Sequence, residues 1–385
     1  MNDYLYEARA LLPELSLLRE AFHAEPELGN AEFKTAARIE AFLRDCGIGT
    51  ERVTETAVVG TLRGALAGST VALRADMDAL PVNEQSGAAF SSRIPGRMHA
   101  CGHDVHTTAL LGAAKLLSAH RDSLQGTVKF FFEPDEEGNG GAQRMIAAGC
   151  MDGVDAVFGA HVTPDLPLGT VGVRYGKFYA ASDTFEITLH GRSAHGAEPE
   201  KGIDALAAAA ELVGALSSLP GTRQDMCVLS IGTLQAGCAI NVIADTAHLS
   251  GIMRTLGARN RQDMRALLQE TTRKIASRRG CTAEIILHES YPGVVNTSSE
   301  TALAERTLQG LLGAEHVVCL EQPLMMTEDF GYFIDEAAGS YYHIGAGCTL
   351  PLHNPAFLPD ARVICPAVAA HAAIARAYLK THPKK

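Results

Sequence analysis

The segment His99-Ala100-Cys101-Gly102-His103-Asp104-Val105-His106 gathers three imidazoles and a thiol just ahead of an apolar helical run. Thiolate and imidazole both suit Zn²⁺ and its first-row neighbours. Gly102 lets the backbone turn so that Cys101 and His103 can face one ion. The competing reading is an ordinary helix start with Asp104 or Thr107 as cap. His99 and His106 are expected beside the site as supporting or solvent groups. Downstream, Pro134-Asp135-Glu136-Glu137-Gly138 sets three adjacent carboxylates after the apolar run Val128–Phe132. They repel one another unless something positive sits among them. A pair of cations would supply that charge, with one carboxylate bound to metal and its neighbour free to move a proton. The competing reading is an exposed acidic turn. His161 follows the apolar run Val157–Ala160, and His353 lies between Pro351 and Pro355. Taken alone, each is an ordinary structural histidine. Counted together, Cys101, His103, Glu137, His161 and His353 give five ligands, which two divalent ions sharing Cys101 could divide. The thiol favours zinc, with manganese, cobalt or nickel as alternatives.

Other catalytic signatures fail. Gly191-Arg192-Ser193-Ala194-His195 ends in His where a nucleophile elbow needs Gly, and no P-loop, GxGxxG or HExxH is found.

Three strands must carry these clusters: Val58–Leu62, Val71–Ala75 and Val128–Phe132, with a helix near Thr107–His120 between the last two. Two helices open the chain, the second ending at Gly47. Asp76-Met77-Asp78 and Glu133–Glu137 directly follow two of the strands, and strand C-termini are where α/β proteins place sites. From residue 184 the pattern becomes strand Phe185–Leu189, helix Gly202–Leu219, strands Met226–Leu234 and Thr246–Met253, helix Asn260–Arg278 and strand Thr282–His288. This is the ferredoxin-like β-α-β-β-α-β order, expected as a domain inserted at 181–292 into an α/β domain made of 1–180 and 293–385. That larger domain is expected to hold a mixed sheet covered by helices.

With 385 residues the chain is long enough for two or three domains, and 46% hydrophobic against 20% charged residues excludes global disorder. A formal charge of −11 repels phosphate backbones and anionic lipid, so neither nucleic acid nor a membrane is expected as partner. The first twenty residues carry scattered charges and no apolar signal core, which predicts a cytoplasmic location. The most apolar stretch, Ala205–Leu219, is interrupted by Glu211 and is shorter than the roughly 20 residues a membrane span needs, so no span is expected. Nine cysteines without a paired framework predict free thiols.

Four segments together, Arg74-Ala75-Asp76-Met77-Asp78-Ala79-Leu80-Pro81, Met98–Asp104, Pro134–Gly138 and His353-Asn354-Pro355, resemble the metallopeptidase family of aminoacylases and carboxypeptidases. The nearer likeness is to its branch of hippurate hydrolases and indole-acetyl-amino-acid hydrolases. It runs from His23-Ala24-Glu25-Pro26-Glu27-Leu28-Gly29 to His353. The resemblance implies a dinuclear-metal amidohydrolase that cleaves N-acyl amino acids to a carboxylic acid and a free amino acid. It also implies an inserted domain that serves as lid and as the interface of a homodimer or higher homo-oligomer. Carried over by motif, Cys101 would bridge the ions, His103 and His161 would complete one, and Glu137 and His353 the other. Glu136 would be general base and then acid. His195 would stabilise the oxyanion, from its own or a partner subunit. Asn241 and Arg254 would bind the substrate's carboxylate and amide region, and Gly345 would line the site. Asp76-Met77-Asp78 departs from the wider family's His-x-Asp, so one ligand has left that strand end; His103 would replace it, with Asp78 as an orienting group. Ala244 stands where Pro is common and Glu200 where the branch often has His, which bears on substrate preference. The alternatives are a di- or aminopeptidase, or a metal-dependent binding protein without turnover.

Overall fold

A computed structural model describes residues 4–383. In chain order the helices are α1 (Tyr4–Ala24), α2 (Phe33–Asp45), α3 (His103–Ala119), α4 (Ala142–Ala147), α5 (Ala205–Ser218), α6 (Ala258–Arg278), α7 (Ser298–Leu312), α8 (Gly331–Glu336) and α9 (Ile364–Thr381). The strands are β1 (Gly49–Arg52), β2 (Val58–Arg63), β3 (Leu66–Asp76), β4 (Gln125–Glu133), β5 (Ala156–Thr163), β6 (Val171–Val173), β7 (Gly176–Lys177), β8 (Ala181–His190), β9 (Cys227–Ala236), β10 (Thr246–Thr255), β11 (Thr282–Glu289), β12 (Val295–Asn296), β13 (Val317–Cys319) and β14 (Ala338–Gly345). The fold divides into two compact units. One runs to Gly176 and resumes over Val295–Gln322 and from Asp329; the other comprises Lys177–Val294 and Pro323–Glu328.

The first unit is built on an eight-stranded mixed sheet ordered β1-β2-β4-β3-β5-β14-β6-β13. Its centre is parallel: β4 pairs with β3, β3 with β5 and β5 with β14 in one direction. Continuous apolar runs such as Val71–Leu73, Phe130–Phe132 and Ala156–Phe158 are buried along their length, as strands covered on both faces require. Helix α3 is buried almost all round and packs with α1 and α9 on one face. Because β3, β4, β5 and β14 share a direction, their C-terminal ends lie along one edge. There Asp76 stands in register with Glu133 and His161 with His343.

The second unit is a four-stranded antiparallel sheet ordered β11-β8-β10-β9 with α5 and α6 packed on it. Its strands and helices follow the expected β-α-β-β-α-β order. The second helix of that pattern begins at Ala258, close to expectation. The first begins at Ala205 where the pattern suggested Gly202, because the Asp204 carboxylate accepts the Ala207 N–H at 3.0 Å and caps it there.

By length and composition two runs could cross a membrane, Ala205–Thr222 and Ala361–Thr381, where the sequence reading admitted none. The second is 78% buried within the fold as the core helix of the first unit. The first packs Ala205, Ala208, Leu212 and Leu216 on the sheet of its own unit. All nine cysteines are free.

Candidate metal centre

The parallel edge of the larger sheet collects the polar residues singled out in the sequence. Gly102, at φ +90°, forms the turn into α3 and places Cys101 and His103 on either side of it. A Cβ at Gly102 would lie 2.6 Å from Val162, so the close approach of this turn to β5 also requires glycine. Glu136 and Glu137 follow β4, His161 lies near the end of β5, and His353 sits between β14 and α9. His353 is held at φ +66° with its N–H on the Ala100 carbonyl at 2.9 Å. Holding a non-glycine residue in that region costs free energy and calls for an explanation in function.

Potential ligand atoms of Cys101, Glu137 and His353 lie within 4.8 Å of one another, as do those of His103, Glu136 and Glu137. His161 joins through Nε2, 3.4 Å from Cys101 Sγ. Nε2 of His353 is 2.9 Å from Oε1 of Glu137. All five expected ligands and Glu136 therefore form one continuous group, entirely within the first unit.

Hydrogen bonds select the nitrogen each histidine presents. The Nδ1–H of His161 donates to the Val162 carbonyl at 2.6 Å, and that of His103 to Asp78, at 2.9 Å to the carbonyl and 3.1 Å to Oδ1. Both Nε2 atoms are thus turned inward, and Nε2 of His103 is buried without a hydrogen bond. Asp78 uses its other oxygen, Oδ2, to accept the Glu137 N–H at 3.1 Å. One carboxylate therefore orients two of the candidate ligands, as expected of Asp78.

His106 is engaged differently. Its Nδ1 lies 2.6 Å from Asp76 Oδ1, and its Nε2 accepts the Val162 N–H at 2.9 Å. His106 belongs with Asp76, His103 and His161 to a further group whose potential ligand atoms lie within 4.8 Å of one another, but in this arrangement its Nε2 lone pair is occupied by the Val162 N–H.

The electrostatics fit a cation. Burial pushes the Cys101 thiol well above its usual range, and the neighbouring Glu137 and Glu136 carboxylates push it further. Burial works against charge on His103, but Asp76 and Asp78 outweigh it and drive His103 up to about 10. The anions around His103 thus demand a positive charge, which a divalent ion supplies in place of a proton. Burial, then His106, holds His161 well below its usual value, so it is the neutral imidazole a metal requires. The donor set of thiol, imidazole and carboxylate is that of a first-row divalent ion.

Two charged networks support this edge and were not assigned roles from sequence. Arg74, fully buried, donates to Glu133 at 2.6 Å, Asp76 at 2.8 Å and Asp329 at 3.0 Å. Its presence inside the apolar run Val71–Ala75 was the available signal, since a charge there must be buried and paired. Asp104 receives Arg19 Nε and His23 Nδ1, each at 2.9 Å, and His23 reaches Glu84 at 3.0 Å. Burial disfavours charge on His23, yet Asp104 and Glu84 raise it to about 9.

The remaining expected residues are placed as follows. In the second unit, His195 is exposed, and its Nδ1 accepts the Ala197 N–H at 3.1 Å, leaving Nε2–H to donate. Asn241 is a neighbour: its carbonyl accepts the Gly196 N–H at 2.7 Å. Arg254 lies half-buried on β10 in register with Ser182 and makes no ion pair among the described residues. Gly345, in the first unit, ends β14; a Cβ there would lie 1.9 Å from the Pro167 carbonyl, a packing reason for glycine.

Residues 72–377 match the model of peptidase family M20/M25/M40. The N-acetylcysteine deacetylase of Bacillus subtilis is 35% identical over 97% of this chain and 99% of its own. Thermostable carboxypeptidase 2 of Saccharolobus solfataricus is 36% identical over 93% of each. A solved dinuclear metal-binding M20 peptidase from Bacillus subtilis superposes with a TM-score of 0.88 at 35% identity, covering 97% of this chain and 99% of the other. The chain belongs to the peptidase family M20/M25/M40 and is a hydrolase of that family.

Proposed function

We propose that this chain is a dinuclear-metal amidohydrolase that cleaves N-acyl amino acids to a carboxylic acid and a free amino acid. The observation that carries the reading is the convergence of Cys101, His103, Glu136, Glu137, His161 and His353 on one sheet edge. Cys101 would hold both ions, His103 and His161 one, and Glu137 and His353 the other. Two such ions, zinc by preference given the thiol, supply Lewis-acid polarisation of a carbonyl and acidify water. Glu136, buried beside Glu137, accepts the proton of the attacking water and delivers it to the leaving amine. His195 donates Nε2–H to the developing oxyanion. Arg254, which has no carboxylate partner among the described residues, binds the carboxylate of the substrate, and Asn241 its amide region. Gly345 lines the acyl-amino-acid site.

The acyl-amino-acid substrate is supported by the deacetylase relative, which matches along almost the whole of both chains. A second reading, hydrolysis of small peptides, is favoured by the carboxypeptidase relative. Homodimerisation through residues 181–292 as lid is supported by β9, which pairs only with β10 among the described residues and leaves an edge open. A cytoplasmic location fits nine unpaired thiols.

The test is a panel of N-acetyl, N-benzoyl and indole-acetyl amino acids run beside free dipeptides, before and after chelation. Chelator-sensitive release of amino acid from the acylated members alone is expected. Hydrolysis confined to substrates with a free amine favours the peptidase. No turnover on any member with metal present counts against an enzyme of this class.

A further inference from the structure

The turn that carries Glu136 is braced from outside as well as from within. Asp135, immediately before it, adopts φ +61°, an unfavourable region for a residue with a side chain. What holds it there comes from about a hundred residues earlier in the chain, in Gly29–Glu32. The carboxylate of Glu32, itself fully buried at the start of α2, accepts the Asp135 N–H at 2.9 Å. Asn30, at φ +64°, donates Nδ2–H to Asp135 Oδ2 at 2.6 Å, and Arg144 reaches the same oxygen at 3.2 Å. Arg144 also donates to Oδ1 of the Asn30 side chain. A Cβ at Gly29 would fall 2.1 Å from Asp135 Oδ1, and one at Gly138 2.2 Å from it, so the carboxylate lies in a slot that only glycines leave open. The Asp135 N–H and carboxylate are therefore fixed by partners from outside the turn, while its carbonyl is held from within by the Gly138 and Gly140 N–H groups.

We propose that Glu32 and Asn30 are positioning residues that hold Asp135 in its left-handed conformation and so aim the Glu136 carboxylate. The inference rests on the reading of Glu136 as the proton-transfer group. Neither residue reaches that group directly; each acts through Asp135. Gly138 and Gly140 N–H groups both point to the Asp135 carbonyl, so a change at Asp135 moves the peptide that carries Glu136, while the Glu137 N–H keeps its own anchor on Asp78 Oδ2. A displacement of about 1 Å at a reacting group is enough to lower turnover up to roughly 10²-fold.

The experiment uses the full-length, metal-loaded enzyme with N-acetylcysteine as substrate, and reads kcat, KM and metal content together. Glu32→Ala is expected to lower kcat about 10- to 100-fold with KM and metal content nearly unchanged. Glu32→Gln keeps an acceptor oxygen for the Asp135 N–H and is expected to stay within about threefold of the parent. If Glu32→Ala does not fold, Asn30→Gly carries the test, because the site is exposed and glycine tolerates its positive φ.

Two further readouts exclude a merely structural effect. In a Glu136→Gln background, Glu32→Ala or Asn30→Gly is expected to cause no additional loss, since both act through one group. A crystal structure of the variant is expected to show Asp135 away from φ near +61°. Unchanged kcat in both Glu32→Ala and Asn30→Gly, losses that simply add to those of Glu136→Gln, or an unmoved Asp135 overturns the positioning role. Parental turnover in Glu136→Gln instead removes the proton-transfer reading itself, so the two failures are told apart.

Discussion

The backbone N–H of Val162 donates to Nε2 of His106 at 2.9 Å. The imidazole must then carry its proton on Nδ1, which it gives to Asp76 at 2.6 Å. Asp76 is in turn gripped by Arg74. This chain of contacts crosses from β3 through α3 to the peptide just after His161, whose own Nδ1–H is bound to the carbonyl of Val162. The orientation of one candidate ligand therefore depends on a histidine whose own two ring nitrogens are both engaged by protein partners.

Replacing His106 should loosen His161 without removing a ligand. His106→Ala is expected to weaken metal binding about 10- to 100-fold, the usual effect of losing an outer partner. A competitive chelator titration measures it. Unchanged affinity would mean that Val162 and Asp76 keep their places unaided.

Glu136→Gln keeps the shape of the side chain but cannot accept a proton. Metal content should remain at the parental level while kcat falls by at least about 10²-fold, the range for loss of general acid–base catalysis. Metal analysis and steady-state kinetics on one preparation check both halves. Loss of metal together with activity would place Glu136 among the ligands.

The contrast between these residues explains what could be read from the sequence. Cys101, His103 and Glu137 were legible because rare donor types sit close together in the chain. His161 and His353 became legible only by addition to them. Buried strands such as Val71–Ala75 and Phe130–Phe132 announced themselves as apolar runs, and α3, expected near Thr107–His120, begins one turn earlier, at His103. Short edge strands such as β1 and β13 carry no such pattern. Pro13 stands inside α1 without ending it, where tertiary packing on α3 and α9 outweighs the local cost. Glu32 was invisible because its partner Asp135 is 103 residues away, and the Arg74–Asp329 contact spans 255. Local spacing reports ligand chemistry; it does not report which distant carboxylate steadies the turn.

His195 tests whether the second unit takes part in catalysis. Its Nδ1 is occupied by the Ala197 N–H, so the free donor is Nε2–H. His195→Ala should lower kcat about 10²- to 10³-fold, or roughly 2.7–4 kcal/mol of transition-state stabilisation, the loss typical of one oxyanion donor. Turnover equal to the parent would leave His195 outside the reaction. If the residue serves a partner subunit, mixing His195→Ala with Glu136→Gln should restore part of the activity.

Arg254 has no ion-pair partner among the described residues, and burial lowers its pKa, with Tyr291 acting the other way. A half-buried guanidinium without a counter-charge is suited to an incoming carboxylate. Arg254→Ala should chiefly raise KM for N-acyl amino acids with a free carboxylate and spare their methyl esters. Equal losses on both substrates would contradict carboxylate recognition.

Glu32 also carries a pH signature that its substitution isolates. Burial pushes its carboxyl from 4.5 up to about 7, partly opposed by a backbone N–H and the Thr56 hydroxyl, and Asp78 adds to the rise. The folded value lies above the unfolded one, so the fold favours the protonated acid. Its contribution to stability is fully present below about pH 4.5 and is lost as pH rises through about 7. Glutamine cannot ionise, so Glu32→Gln should gain stability on the parent as pH increases, by up to about 3 kcal/mol between pH 4.5 and pH 8. Urea unfolding of both proteins at pH 5 and pH 8 measures the difference. A gap that does not change with pH would mean that Glu32 is already ionised in the folded protein, and that its hold on Asp135 is that of a charged carboxylate throughout.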